Sequence, residues 1–166
     1  IPIRALQTVG LVVAKADGEG HYDRFRHRVM FPIFDTRDHA IAFGARVLPG
    51  PPGKTSPEAK DPGAKAPKYL NTPETPIFSK GREFYGLNWA KPAISKAGVL
   101  GIMEGYTDVI LAHQFGFEHF VATLGTAMTR DHVRLARRFT ERVMVLYDAD
   151  DAGVKASERS LDLFLE

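Results

Sequence analysis

Two carboxylates, Glu104 and Asp108, lie four positions apart in the stretch EGYTDV, directly after the apolar run VLGIM. Two more, Asp148 and Asp150, follow a second apolar run in the stretch YDADDAG. Alternate residues of an extended strand face the same way, so the Asp-x-Asp spacing lets both side chains reach one ion. Carboxylates that gather closely repel each other unless cations neutralise them. Because these ligands are all oxygen, the pattern predicts a site for Mg²⁺ or Mn²⁺ and not for zinc.

Each acidic stretch also has a purely structural interpretation. An isolated Asp-Ala-Asp-Asp is most often a helix N-cap, and a Glu-Gly pair after a strand is often a turn. The stretch LGTA, residues 124–127, fits either a loop that approaches a phosphate or a tight turn. Metal binding is favoured because the three stretches occupy equivalent places after apolar runs, where parallel sheets bind their ligands.

The elements that position these residues follow from the pattern after residue 98. Short apolar runs (VLGIM, HFVAT, RVMVLYD) alternate with helical stretches, which predicts a parallel sheet covered on both faces. Thr129 is the predicted N-cap of one helix, and Gly116 the predicted stop of the helix before it. In the last helix, the spacing of Val154, Leu161 and Leu165 predicts the packed face.

The first half predicts a mixed, strand-rich region. The runs RVMFPIFD and AIAFGARVL, separated by the polar DTRDH, are typical of a β-hairpin, and LVVAKADGEGHYDRF predicts a strand followed by an Asp-Gly turn. Residues 49–67 are rich in proline and glycine and lack large apolar side chains, so they predict a mobile surface loop. The segment after that loop contains two Thr-Pro steps and predicts an irregular, extended path.

Composition and charge narrow the class of protein. The 166 residues contain no cysteine, which excludes disulfides and thiolate zinc sites in this chain. No apolar run approaches the roughly 20 residues that span a bilayer, and the first residues lack the pattern of a signal peptide, so we expect a cytoplasmic protein. Residues 1–98 carry 15 basic and 9 acidic side chains, and the remainder carry 7 and 11. This split suggests one surface for a polyanion and another for cations.

The stretches EGYTDV, LGTA and YDADDAG, in this order, resemble the Toprim domain, a metal-binding α/β fold shared by DnaG-type primases, type IA and II topoisomerases and some nucleases. In the first half, YDRFRHRVMFPI, AFGARVL and PKYLNTPETPIFSKGREFYGL resemble the RNA polymerase core of bacterial DnaG-type primases. The resemblance covers nearly the whole chain apart from the proline-rich loop. It implies an α/β chain: a basic, mixed α+β subdomain at 1–97, followed by a Rossmann-like Toprim subdomain at 98–166 that is truncated at its C-terminal end.

The resemblance also implies roles for individual residues. Glu104 matches the Toprim glutamate, a candidate general acid or base, and the matching metal-ligand acids are Asp108, Asp148 and Asp150. All four are predicted catalytic and metal-binding residues. The residues that match motifs lining the path of template and nucleotide are Arg46, Lys68, Tyr69, Asn71, Lys80 and Arg82. Ala45 stands where the family usually has a second glycine.

The function implied is that of a primase, a DNA-directed RNA polymerase and nucleotidyltransferase. It would make short RNA primers on single-stranded DNA from ribonucleoside triphosphates by two-metal phosphoryl transfer during replication. The family's zinc-binding domain precedes this core, and a C-terminal domain that binds the replicative helicase follows it, so Ile1 in place of Met suggests a fragment of a longer chain. Two alternatives stay open: a topoisomerase or nuclease built on the same fold, and a nucleic-acid-binding module without catalysis.

Overall fold

The computed structural model describes residues 1–49 and 67–165. These residues group into two compact units, Ile1–Pro32 with Ile41–Phe78, and Ile33–Ala40 with Ser79–Glu166. The predicted mobile loop at 49–67 lies outside the described residues apart from its two end positions. These units are defined by packing alone and do not test the predicted boundary between the two subdomains. The division between residues 97 and 98 therefore stays a prediction.

The first unit begins with a short helix and a hairpin, which are α1 (Ile3–Thr8), β1 (Val12–Ala14) and β2 (His21–Asp23). The two strands pair antiparallel, with Val12 opposite Asp23. The predicted Asp-Gly turn joins them. In that turn the Asp17 carboxylate accepts a hydrogen bond from the Glu19 N–H at 2.9 Å, and Gly18 has a φ of 77°. A side chain that bonds backbone two residues ahead is a common way of fixing such a turn.

A second sheet contains three strands, β3 (Arg28–Phe34), β4 (Ala40–Val47) and β5 (Tyr69–Asn71), in the order β3-β4-β5. The predicted hairpin of β3 and β4 is present, and its turn is held by the Asp35 carboxylate, which accepts from the N–H groups of Arg37 (2.7 Å) and His39 (3.0 Å). Strand β5 pairs antiparallel with β4, which places Arg46 opposite Tyr69.

The rest of the second unit is an α/β layer. Its elements are α2 (Leu87–Ala97), β6 (Leu100–Met103), α3 (Tyr106–Gln114), β7 (Phe120–Ala122), α4 (Arg130–Ala136), β8 (Val143–Val145) and α5 (Asp151–Leu165). The three strands are parallel in the order β7-β6-β8, so the predicted alternation and the α/β fold class are confirmed. Thr129 is the N-cap of α4, and α3 ends just before Gly116, which has a φ of 86°.

The main core of this unit lies where the helices cover the sheet. The central strand contributes Leu100 and Ile102, both fully buried, and α2 contributes Leu87 and Ile94. A central parallel strand is apolar on both faces because helices exclude water from each side. This packing fixes the ends of the strands and therefore the loops that follow them.

Helix α2 is absent from the sequence-based prediction, and Pro92 explains why. Proline inside a helix removes a backbone hydrogen bond and usually ends it. Here Pro92 lies within the 11-residue helix, which runs on to a C-cap at Gly98 in the left-handed conformation. Burial of Leu87 and Ile94 in the core supplies the stability that the proline removes.

The predicted packed face of α5 is wrong. Val154, Leu161 and Leu165 are 53%, 59% and 77% exposed, whereas Ser160 is buried and Leu163 packs against the core. Leu163, Phe164 and the small Ser160 form the packed face instead, and the spacing of the other large apolar residues pointed to a different side of the helix. None of the described helices combines the length and apolar character needed to cross a bilayer.

Candidate active site at the carboxyl end of the parallel sheet

Glu104 and Asp148 lie side by side because their strands are neighbours. Strand β6 pairs with β8 in parallel, with Ile102 opposite Val145, so the residues that follow each strand meet at one edge. The Asp148 N–H donates a hydrogen bond to the Glu104 carboxylate, with an N···O distance of 3.3 Å. That distance is at the long end of the range for such bonds. Both side chains are exposed and open to a ligand.

Asp108 lies in the first turn of α3, one short loop after Glu104. A Cβ atom added to Gly105 would come within 2.6 Å of an Asp108 carboxylate oxygen, so that carboxylate lies directly against the backbone next to Glu104. The glycine allows this close approach, because any other residue would displace the side chain. The EGYTD spacing therefore places both acids on the same loop-to-helix corner.

Asp150 has the role that the structural interpretation of YDADDAG predicted. Its carboxylate accepts from the Gly153 N–H at 2.8 Å, and its carbonyl accepts from the Val154 N–H at 3.0 Å, which fixes the start of α5. Asp150 also borders, with Glu104, a cleft of about 590 Å³. The cleft is further lined by Thr123, Gly125, Thr126, Tyr147 and Ser160. Gly125 has a φ of 69°, as a tight turn requires.

The donors at this edge fit a hard divalent cation in type. Within the described residues no three His, Cys, Asp or Glu side chains come close enough together to hold an ion. Magnesium, however, is commonly bound through one or two carboxylates, with water and substrate phosphates filling the other positions. Glu104 and Asp148, adjacent through the Asp148 backbone and both exposed, offer carboxylates of this kind. The predicted four-carboxylate site stays a prediction.

Two residues that the prediction missed support this edge. The Tyr147 hydroxyl lies 3.3 Å from the Ser160 Oγ, which joins the end of β8 to α5. Burial raises the pKa of the Tyr147 phenol, and the negative charge of Glu104 adds to the rise. Ser160 also donates to the Ala156 carbonyl at 2.8 Å. A serine inside a helix carries no sequence signal for such a contact.

In the first unit, the structure brings four of the six predicted nucleotide- and template-binding residues together. Arg46 and Asn71 lie on the paired strands β4 and β5, and the Tyr69 ring is approached by the Arg46 guanidinium at 5.7 Å and by the Lys68 ammonium at 5.8 Å. Tyr69 is 40% exposed. Two cations beside an exposed aromatic ring form a surface suited to phosphate and base contacts.

The other two, Lys80 and Arg82, lie in the second unit. The Arg82 guanidinium pairs with Asp131 at 3.1 Å, and Asp131 also pairs with Arg134 at 2.9 Å. The hydrogen bond from Arg82 is the main cause that lowers the pKa of the Asp131 carboxyl below its usual value. Nearby, burial raises the pKa of the Glu83 carboxyl. The sequence did not predict that Asp131 and Glu83 would lie beside these basic residues, since charged surface residues show no periodic pattern.

Two protein-family models match this chain, one after the other. Residues 1–91 match the model of the DNA primase catalytic core, N-terminal domain, and residues 101–166 match the Toprim-like model. A DNA primase from Synechococcus elongatus is 43% identical over 162 residues, which is 96% of this chain and 21% of that protein. The chain spans about a quarter or less of the length of such curated relatives.

Solved structures show the same similarity. A DNA primase domain from Pseudomonas aeruginosa superposes with a TM-score of 0.84 at 42% identity, covering 98% of this chain and 46% of that one. A DnaG primase catalytic domain bound to single-stranded DNA gives a TM-score of 0.80, also at 42% identity, covering 97% of this chain and 45% of that domain.

Proposed function

Because the chain belongs to the bacterial DnaG-type DNA primase family, as part of its catalytic core, we propose that it serves in the synthesis of short RNA primers on single-stranded DNA during replication. The observation that carries the proposal is the contact between Glu104 and Asp148 at the carboxyl end of a parallel sheet. A relative of 42% identity is described as bound to single-stranded DNA, which supports this choice of template.

The proposed reaction joins ribonucleoside triphosphates, as in a nucleotidyltransferase. Asp108, Asp148 and Asp150 would hold Mg²⁺ or Mn²⁺, and Glu104 would act as general acid or base while also serving as a metal ligand. Bound divalent ions supply activation of the attacking hydroxyl and neutralisation of the phosphates. The exposure of Glu104 and Asp148 supports this assignment, because buried carboxylates could not reach a substrate.

The basic residues of the proposal hold nucleic acid and nucleotide. Arg46 and Lys68 would contact phosphates, Tyr69 would stack on a base, and Asn71 would donate a hydrogen bond. Lys80 and Arg82 would add phosphate contacts from the second unit. Phosphate contacts position a strand without reading its sequence, so we expect weak sequence preference and strong dependence on salt.

The remaining partners follow from the family. The replicative helicase would bind a C-terminal domain that lies outside this chain, and the setting would be the bacterial cytoplasm. No zinc is proposed for this chain, since it contains no cysteine.

The test is incorporation of labelled ribonucleotides on single-stranded DNA by the natural full-length protein, with Mg²⁺ or Mn²⁺. Short RNA products are expected from the wild type and should disappear in Asp148→Asn, because a neutral amide is a poor ligand for a hard cation. Asp162→Asn is the matched control: it removes the same charge from an exposed position on α5 and should retain synthesis. Equal activity of wild type and Asp148→Asn contradicts the proposal, and metal-dependent nicking of plasmid DNA without RNA products would favour a nuclease.

A further inference from the structure

Residues 80–83, here called the basic strip, have no regular secondary structure to hold them. Lys80, Gly81 and Arg82 form a turn, closed by a hydrogen bond from the Arg82 N–H to the Ser79 carbonyl at 3.0 Å. Irregular backbone keeps a fixed shape only where other groups satisfy its carbonyls and N–H groups. The strip carries two of the cations proposed to meet phosphate, so whatever fixes it also sets their position.

The N-terminal end of α4 supplies hydrogen-bond partners for two carbonyls of the basic strip. The Thr129 hydroxyl donates to the Gly81 carbonyl at 2.5 Å, and His132 Nε2 lies 3.1 Å from the Glu83 carbonyl. The strip also lies close to the helix in space: a Cβ added to Gly81 would be 3.3 Å from the Thr129 methyl group. The two hydrogen bonds bracket Arg82.

The hydrogen-bond pattern requires a neutral His132. The Thr129 N–H donates to His132 Nδ1 at 3.2 Å, so Nδ1 is an acceptor without a proton. The single ring proton is then on Nε2, where it donates to the Glu83 carbonyl. His132 is fully buried beside the Phe84 ring, with centroids 4.6 Å apart, so water does not replace either bond.

These contacts exceed what a helix cap needs. The bond from the His132 N–H to the Thr129 Oγ1 at 3.1 Å, with the return bond from the Thr129 N–H, already completes a capping box. The usual third residue after the cap is Glu or Gln, whose side-chain oxygen is all that the cap requires. A histidine carries a second nitrogen on the far side of its ring, and here that nitrogen bonds to the strip.

We propose that Thr129 and His132 are positioning residues that hold the basic strip in the shape that presents Lys80 and Arg82 to a polyanionic strand. The inference rests on the proposed function for its ligand, but the holding of the strip can be measured without any ligand. The groups facing the His132 ring are Thr129 and the carboxylate of Asp131 on α4, and the backbones of Lys80 and Glu83 on the strip.

The experiment uses the natural full-length protein and measures amide hydrogen exchange in residues 80–84. Thr129→Val keeps the shape and removes the hydroxyl, so exchange should become about fivefold to tenfold faster, as expected for loss of one net hydrogen bond. Thr129→Ser keeps the hydroxyl and should exchange as the wild type does. Unchanged exchange in Thr129→Val overturns the inference.

A second pair of variants covers the case in which Thr129→Val does not fold. His132→Asn keeps an acceptor for the cap but is too short to reach the Glu83 carbonyl, whereas His132→Gln keeps both an acceptor and a donor of sufficient reach. Faster exchange in the Asn variant, with protection restored in the Gln variant, supports the inference. Equal protection in the two overturns it.

Binding of a fluorescent single-stranded oligonucleotide then separates this inference from the proposed function. Thr129→Val, or His132→Asn where that variant is the folded one, should weaken binding several-fold in the wild-type background and cause no further loss in the Lys80→Ala, Arg82→Ala background. An equal further loss in that background overturns the positioning role. Full binding by the Lys80→Ala, Arg82→Ala variant instead overturns the nucleic-acid role of the strip, while the exchange data still decide what holds it.

Discussion

At the level of single residues, one side chain at the edge of the sheet can serve both the fold and the proposed chemistry. Asp150 caps α5 through the Gly153 N–H and still borders the cleft with Glu104. The capping and ligand interpretations of the Asp-x-Asp stretch are therefore compatible. A carboxylate has two oxygens and about four acceptor sites, so one bond to backbone leaves capacity for a ligand.

Thr129 shows how far a single position can be predicted. Its helix-capping role follows from the sequence, because threonine before a helical stretch is a recognised N-cap. Its bond to Gly81, 48 positions away, does not, since nothing in either stretch specifies the other. Local rules predict local bonds, and contacts between distant segments depend on how the whole unit packs.

The buried His132 predicts a pH dependence of stability. Burial lowers the pKa of its imidazole below the usual 6.5, although bonds to the backbones of Glu83 and Lys80 and the charge of Asp131 oppose the shift. As the pH falls below about 6.5, His132 becomes protonated in the unfolded chain but stays neutral in the folded chain. The stability contributed by neutral His132 is thus fully present above that pH and is lost as the pH falls below it.

Thermal unfolding of the full-length protein between pH 8 and pH 5 measures this loss. The melting temperature of the wild type should fall more steeply over this range than that of His132→Gln, whose side chain does not titrate. His113→Gln is the control, since it removes a histidine that bonds the Phe120 carbonyl and is only partly buried. Parallel curves for wild type and His132→Gln would contradict the assignment.

At the level of elements, the strands and helices after residue 98 were predicted well, and the orientation of α5 was not. Alternating apolar and helical stretches determine element type, because each type has its own periodicity. The side that α5 turns inward includes Gly153, which lies against the Asp148 backbone, and the buried Ser160, and neither is a large apolar residue. Helix α2 was missed for a related reason, since tertiary packing offsets Pro92.

Gly153 should be the most sensitive position of α5. A Cβ added there would overlap the backbone of Asp148, so Gly153→Ala forces the helix away from the loop that carries the proposed ligands. Overpacking of this kind costs about 1–3 kcal/mol. We expect a lower melting temperature and a greater loss of primer synthesis than stability alone explains.

The measurement is primer synthesis well below the melting temperature of each variant, with Glu158→Ala as the control on the exposed face of the same helix. That control should retain both stability and synthesis. Full synthesis by Gly153→Ala would show that the position of α5 does not affect the site.

At the level of the whole chain, the charge split and the two groups of basic residues make a further prediction about binding. Residues 1–98 carry a net charge of +6, and residues 99–166 a net charge of −4. Each phosphate contact with a single strand contributes about 0.7 to the slope of log affinity against log salt. Arg46→Gln and Lys68→Gln should each lower that slope by about this amount.

Titration of a labelled oligonucleotide at several salt concentrations gives the slope. Lys155→Gln, on the exposed face of α5 in the acidic half, is the control and should leave it unchanged. An equal decrease of the salt slope in all three variants would mean that the net charge of the protein, and not the β4–β5 surface, governs binding.

Glu104 and Asp148, the two neighbouring residues of the proposed active site, are far apart in the sequence, and this separation affects when the site forms during folding. Glu104 and Asp148 are 44 positions apart and become neighbours only through the pairing of β6 with β8. Contacts between distant positions form late in folding, because closing a long loop costs entropy before the contact is made. During synthesis, β6 must wait for α3, β7 and α4 to emerge before β8 can pair with it. Glu104 and Asp148 are therefore kept apart until β8 pairs with β6, so the proposed metal site does not assemble in partly folded chains.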